Sequence, residues 1–211
     1  SIQLLPTIDF QSISIRGEEN YAATFNFGLT PVLEVIRLWA ADFFGHPVTY
    51  NHFSPTSYHE YSSFLSTLSL PFIISLLFSK KGRTAKFFII LFVTTLLLAI
   101  ENPLSKLIFS LPLPLLTYSS ASRILFLTSF SAAVLVSLSL KKLNFQKFRN
   151  RLFSFSLVFI ILTLLSIFLV PPQFRTIAIR NSILPISMLI SLLVLIKLNL
   201  KTKIMVLILL A

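Results

Sequence analysis

In "LTYSSASRILF", residues 116–126, an arginine follows a tyrosine and four small residues and precedes a long apolar run. This pattern starts a helix, with Arg123 in its first turn. Free N–H groups at a helix start bind phosphate, and a guanidinium adds a bidentate fork. A cation there also opposes the helix dipole, so a plain anchor would sit better at the other end. Arg123 is therefore either a membrane-surface anchor or a contact to a phosphate-bearing ligand.

Other residues offer less complete chemistry. Glu60 is a carboxylate at the entry to an apolar run, with His59 beside it. It is a candidate base or ligand contact, or simply an acid favoured by a helix N-terminus. "HEYSS" is not a zinc motif, because Ser63 stands where the second histidine would be. His46, His52 and His59 are spaced six and seven apart, which fits no familiar ligand set. No cofactor is identified, and a divalent metal has no support from these spacings. Arg16, in "SISIRGEENY", can brace a loop through Glu18 or Glu19, or touch phosphate or sugar. Arg175 and Arg180 read as interface anchors. No GxSxG, P-loop or GxGxxG motif occurs in the sequence.

The elements that must hold these residues follow from composition. The chain has 211 residues, no cysteine, 55% hydrophobic residues and 22 phenylalanines. Charged residues make up 12%, about half the usual share for soluble domains. A soluble core of this length cannot hide so much apolar surface, so the bilayer is the expected solvent. The net charge of +11 is no nucleic-acid signature, because the cations sit in short clusters between apolar runs. The expected fold is all-α, a polytopic transmembrane helix bundle with an N-terminal extracytoplasmic segment. The chain itself reads as an internal fragment of a longer membrane protein.

Residues 1–61 hold six of the seven acids and all three histidines, and are expected outside the hydrocarbon. Within them "TPVLEVIRLWAADFFG" predicts an amphipathic helix over about 31–44, capped by Thr30 with Pro31 in its first turn. Glu34, Arg37 and Ala41 share one face, and Leu33, Ile36, Ala40 and Phe43 another. This helix either lies in the outer membrane interface or packs on its own bundle. Residues 62–211 predict five full spans: Ser62–Ser79, Ala85–Ile100, Ile124–Leu140, Leu152–Val170 and Ser182–Leu198. A truncated sixth begins at Ile204. Pro112 and Pro114 break the apolar run between them, so 104–118 is expected not to cross.

Charge placement supports that choice. Loops 80–86, 141–151 and 197–203 hold twelve of the 18 basic residues. They fall on one side only if 104–118 does not span. The positive-inside rule puts them in the cytoplasm. Residues 1–61, 101–123 and 171–181 are then external.

The order of features resembles the YfhO-like family of bacterial multi-pass membrane proteins, relatives of the GT-C glycosyltransferases. The stretches that carry the resemblance are "IQLLPTIDFQSISIRG", "LTPVLEVI", "GHPVTYNHF", "HEYSSFLSTLSLPFIISLLF" and "NPLSKLIFSLPLPLLTYSSASRILFLTSFSAAVL". Together they cover roughly residues 1–140. Only Arg123 is present where the family often has two arginines, and Ser66 replaces a common glycine. The resemblance implies a protein of the bacterial cell membrane that takes a sugar from a polyprenyl-phosphate donor and transfers it to a cell-envelope polymer. It implies a catalytic carboxylate upstream of Ser1, and it aligns Arg123, Glu60 and Arg16 with external family positions. A different class fits the same pattern: a non-catalytic transporter of lipid-linked substrates, or a membrane scaffold. Membrane lipids are expected partners on either reading, and nucleic acid is not.

Overall fold

The computed structural model describes residues 28–54, 58, 64–111, 120–143 and 146–198. Among them the fold is all-α, with no sheet. The one β-like contact is an isolated parallel bridge between Thr30 and Ile100. The helices are α1 (Ser69–Leu77), α2 (Arg83–Ala99), α3 (Pro103–Phe109), α4 (Leu125–Leu140), α5 (Gln146–Leu169) and α6 (Arg175–Lys197). Short 3₁₀ turns cover Val32–Leu38, Pro47–Thr49, Ala121–Ile124 and Pro172–Phe174.

Among the described residues, three helical stretches are long and apolar enough to cross a membrane: Ala121–Leu140, Gln146–Leu169 and Pro172–Lys197. Their outward residues are large and apolar. Phe126, Phe168, Leu169 and Leu184 are at least two-thirds exposed, as expected of surfaces solvated by lipid. The chain thus has the character of a membrane helix bundle. Pro185 lies inside α6 without ending it. Helix α2 has 17 residues, at the lower limit for a span.

The first expected span, Ser62–Ser79, takes another form. Its helix α1 has nine residues and rises about 14 Å, less than half of a ~30 Å hydrocarbon core. Ser66 has φ 81°, a left-handed conformation that stops the helix from extending upstream. Pro71 falls in the first turn, where its missing N–H costs nothing.

Helix α3 has seven residues, too short to cross. Asn102 caps it: its side chain accepts from the Ser105 N–H at 3.0 Å, while the Ser105 hydroxyl accepts from the Asn102 N–H at 3.1 Å. Residues 112–119 of the expected non-spanning segment lie outside the described residues.

Inside the bundle, small polar residues are satisfied by their own helices. The hydroxyls of Ser75, Ser156, Thr163 and Ser182 donate to the carbonyls four residues back, at 2.7–2.8 Å. Thr128 on α4 donates to Thr95 on α2 at 2.9 Å. Around them pack Phe72, Ile73, Leu135, Leu152, Leu189 and Leu192.

The two ends differ in charge. Arg149 donates to the carbonyl of Ile196 at 2.6 Å, and Arg151 to the carbonyl of Phe78. Both guanidiniums meet carbonyls at the C-terminal ends of helices, where the dipole favours cations. This draws 78–83, 141–143, 146–151 and Lys197 to one end of the bundle. The opposite end gathers the chain from Gly28 to Ser54 with Ile100, Ser120 and Phe174. Thr30 donates to the Ala99 carbonyl at 2.8 Å, the Ser120 hydroxyl donates to the Gly28 carbonyl at 3.3 Å, and Phe53 stacks on Phe174 at 4.7 Å.

Candidate functional site

The end opposite the basic loops is organised by Val32–Leu38. It was expected as part of an α-helix over about 31–44, and it is a 3₁₀ turn of seven residues. A 3₁₀ helix has three residues per turn, so side chains three apart eclipse. Glu34 and Arg37 therefore stand one above the other. The tighter period also turns Val32 and Leu33 outward, each 64% exposed, and turns the charged pair inward. The expected amphipathic faces do not form: the polar pair is buried, together with Ile36, Trp39, Ala40 and Phe43.

Arg37 is 2% exposed and Glu34 is 4% exposed. Their Nε–Oε2 distance is 2.6 Å. The Ser54 hydroxyl donates to the other carboxylate oxygen of Glu34. Arg37 Nη2 donates to His52 Nε2 at 2.9 Å. An arginine can only donate, so His52 accepts there and is neutral with its proton on Nδ1. The guanidinium carbon lies 5.4 Å from the centroid of Phe44 and 5.5 Å from that of Tyr58. Those rings take the place of hydrogen-bond acceptors for Nη1, which is buried without one.

Further contacts hold the segment in place. The Tyr58 hydroxyl donates to Asp42 at 2.9 Å. His46 and His52 meet the Tyr58 ring edge-on at 4.8 and 5.6 Å. Asn181 on α6 donates to the Asp42 carbonyl at 2.5 Å. Trp39 donates to Thr163 on α5 at 3.0 Å and packs edge-on against Phe159 at 5.1 Å. Gly45, at φ 82°, turns the chain back so that Asn51 accepts from the His46 N–H at 2.8 Å.

Burial and charge act on these groups in different directions. Burial pulls the Arg37 guanidinium below its ordinary value, against the upward pull of Glu34, Tyr58 and Asp42. His52 is lowered by burial first, then by the Arg37 charge and His46, with Glu34 opposing. Tyr58 is raised by burial first and by its bond to Asp42.

Beside the pair lies a cavity of about 240 Å³. Its walls are Phe43, Phe44, Phe53 and Phe174, with Leu33 and Leu169 at its rim. Glu34, Ser54 and Ser166 supply its polar surface.

Arg123 stands at this same end, but apart from the cluster. It is exposed, in the 3₁₀ turn Ala121–Ile124 that leads into α4. Its side chain makes no hydrogen bond or ion pair with a described residue. The nearby hydroxyls are not gathered around it: Ser120 and Ser122 bond each other at 2.7 Å. Tyr118 and Ser119 lie outside the described residues, as do Glu60 and Arg16. Arg175 caps α5 by donating to the Val170 carbonyl at 3.1 Å, and Arg180 reaches Asn181 at 3.4 Å. Among the described residues no group of three or more His, Asp or Glu is placed to hold a metal ion.

The sequence pattern puts Glu34 and Arg37 on the polar face of an amphipathic helix, either in the membrane interface or packed on the bundle. Their spacing of three was a usable signal, since it allows an ion pair on either kind of helix. Nothing in the sequence linked them to His52, Ser54 and Tyr58.

No family model matches the sequence. No curated protein and no solved structure matches it either.

Proposed function

We propose that this chain is part of a GT-C-like membrane glycosyltransferase. On this reading, the end of the bundle carrying Arg123 receives a polyprenyl-phosphate-linked sugar. The sugar is then transferred to a cell-envelope acceptor. The basic loops face the cytoplasm, and residues 1–61 face outward with Arg123. The catalytic carboxylate is the one that the family resemblance sets upstream of Ser1.

The observation that carries the reading is the exposed Arg123 guanidinium, at a helix start and on the end of the bundle away from the basic loops. A phosphate there would meet both the guanidinium and the N–H groups of the first turn. A second reading, a non-catalytic transporter or scaffold, draws on the described carboxylates. Glu34 pairs with Arg37, Asp42 accepts from Tyr58, and Glu101 pairs with Lys106 at 2.6 Å. Each is engaged, which suits structure better than proton transfer.

The test is donor binding by the full-length protein in vesicles. Arg123→Lys keeps a charge but loses the planar fork. Losing a charge-assisted hydrogen bond costs roughly 1.5–3 kcal/mol, or about one to two decades of affinity. Arg175→Lys, at a helix cap, should leave binding unchanged. Equal affinity for wild type and both variants removes Arg123 from the site. Intact donor binding without transfer favours the transporter or scaffold.

A further inference from the structure

The cavity beside Glu34 has a ligand chemistry of its own. Its walls are four phenylalanines, and its charged group is already neutralised. Glu34 is paired with Arg37 at 2.6 Å and accepts from Ser54. The Ser166 hydroxyl is taken by the Leu162 carbonyl of its own helix at 2.8 Å. An ion entering the cavity would lose its hydration and find no uncompensated opposite charge. A neutral apolar group would lose nothing.

The rim says where such a group comes from. Leu162, Leu165 and Leu169 share one face of α5 and are 41%, 55% and 70% exposed. That face belongs to a 24-residue helix apolar enough to cross a membrane. Leu169 is also part of the cavity lining. The lipid-facing stripe of α5 therefore runs directly to the opening. At about 240 Å³ the cavity is larger than the ~150 Å³ apolar cavity that admits a benzene-sized guest, so the end of a hydrocarbon chain fits.

We propose that this cavity holds a single hydrocarbon chain of a bilayer lipid, inserted past Leu33 and Leu169 and ending against the neutral Glu34–Arg37 pair. The chain fills the space between the 3₁₀ turn and the end of α5. It does so whether or not a sugar is transferred at the same end of the bundle.

Trp39 offers the test. It is the one tryptophan in the sequence and is 7% exposed. It bonds Thr163, which lies about 4.5 Å along the α5 axis from Ser166 in the cavity wall. Lipids brominated on their acyl chains quench tryptophans that they touch. The chain is reconstituted into vesicles of brominated phosphatidylcholine, and the Trp39 signal is taken as the difference from Trp39→Phe. A lipid-facing control is Phe168→Trp in the Trp39→Phe background, since Phe168 is 70% exposed.

Both reporters should be quenched. Ser166→Phe, which fills the cavity, should cut Trp39 quenching at least twofold and leave the Phe168→Trp control unchanged. Leu33→Asp, an exposed substitution that charges the rim, should act in the same way if Ser166→Phe does not fold. An unquenched Trp39 beside a quenched control overturns the proposal. So does Trp39 quenching that survives both substitutions, because the bromines would then reach it by another route.

Discussion

The buried pair gives the sharpest test of how the polar end is held together. Arg37 and Glu34 are almost fully buried, so neither charge can be rescued by water. Removing one partner of a buried pair costs about 3–5 kcal/mol, because the other charge is left uncompensated. Arg37→Met should do this to Glu34, taking the guanidinium away from its carboxylate. It also removes the donor to His52, but His52 is only half-buried and water can replace that bond. For a chain of this length ~1 kcal/mol shifts the melting temperature by about 2–4 °C, so the expected loss is roughly 6–20 °C. Replacing both charges, as in Glu34→Leu with Arg37→Met, removes two desolvation penalties along with the attraction. Such replacements are often neutral or stabilising by about 1–4 kcal/mol. The double variant should therefore melt well above Arg37→Met, and near the wild type. Thermal unfolding in detergent, followed by near-ultraviolet circular dichroism, reads both. A shift below about 2 °C for Arg37→Met would refute the buried-charge argument. So would a double variant as unstable as the sum of the singles.

Three further outcomes rest on His52, on Thr67 and on the placement of the basic loops. His52 is held below its ordinary value, near 6.5, so it resists a proton that the unfolded chain accepts. Stability should be unaffected by this group above pH ~6.5 and should fall as pH drops below it, and His52→Gln should flatten that slope in pH-dependent melts. Thr67 donates to the Trp39 carbonyl at 2.8 Å, and Thr67→Val should cost about 1–3 kcal/mol by orphaning that carbonyl, while Thr67→Ser should cost less. Cysteines at positions 83, 146 and 201 should react with an impermeant thiol reagent only after the vesicle is opened, and those at 20, 50 and 120 from outside; labelling of 146 from outside would invert the proposed orientation.

The parts of the fold that were legible are those fixed by hydropathy. Helices α4, α5 and α6 lie where apolar runs predicted spans at 124–140, 152–170 and 182–198. Two of them extend beyond those runs. Helix α5 starts at Gln146, because Lys147, Arg149 and Arg151 are good helix formers, and Arg149 and Arg151 meet carbonyls at helix ends. Helix α6 starts at Arg175, and Arg180 and Asn181 sit in its exposed early turns. Hydropathy ends a span at the first charge, whereas a helix ends only where its hydrogen bonding does. Apolar content also misjudged the first span. Leu65 and Leu68 read as membrane residues, yet their stretch is non-helical, with Leu65 donating its N–H to the Leu38 carbonyl at 2.9 Å. Periodicity failed at Val32–Leu38 because helices of 3.0 and 3.6 residues per turn diverge by only one position over seven residues. That divergence decides whether Glu34 and Arg37 face in or out.

The short α1 and the buried pair are two sides of one solution. Trp39 bonds Thr163 six residues before the end of α5, about 9 Å down its axis. The chain around Trp39 therefore occupies depth that a longer α1 would have filled. Irregular backbone at such depth must satisfy its polar groups within the protein. Here it does: the Leu38 carbonyl accepts from Leu65, the Trp39 carbonyl from Thr67, and the Ile36 carbonyl from Trp39 and Ala40. The Phe44 carbonyl accepts from Phe53. A continuous helix would have met the same backbone demands with apolar side chains and no charge. The irregular path instead brings an ion pair, a histidine and a tyrosine to the end of a membrane bundle. It also leaves a cavity between them and α5. A nine-residue α1 is what makes room for that polar end.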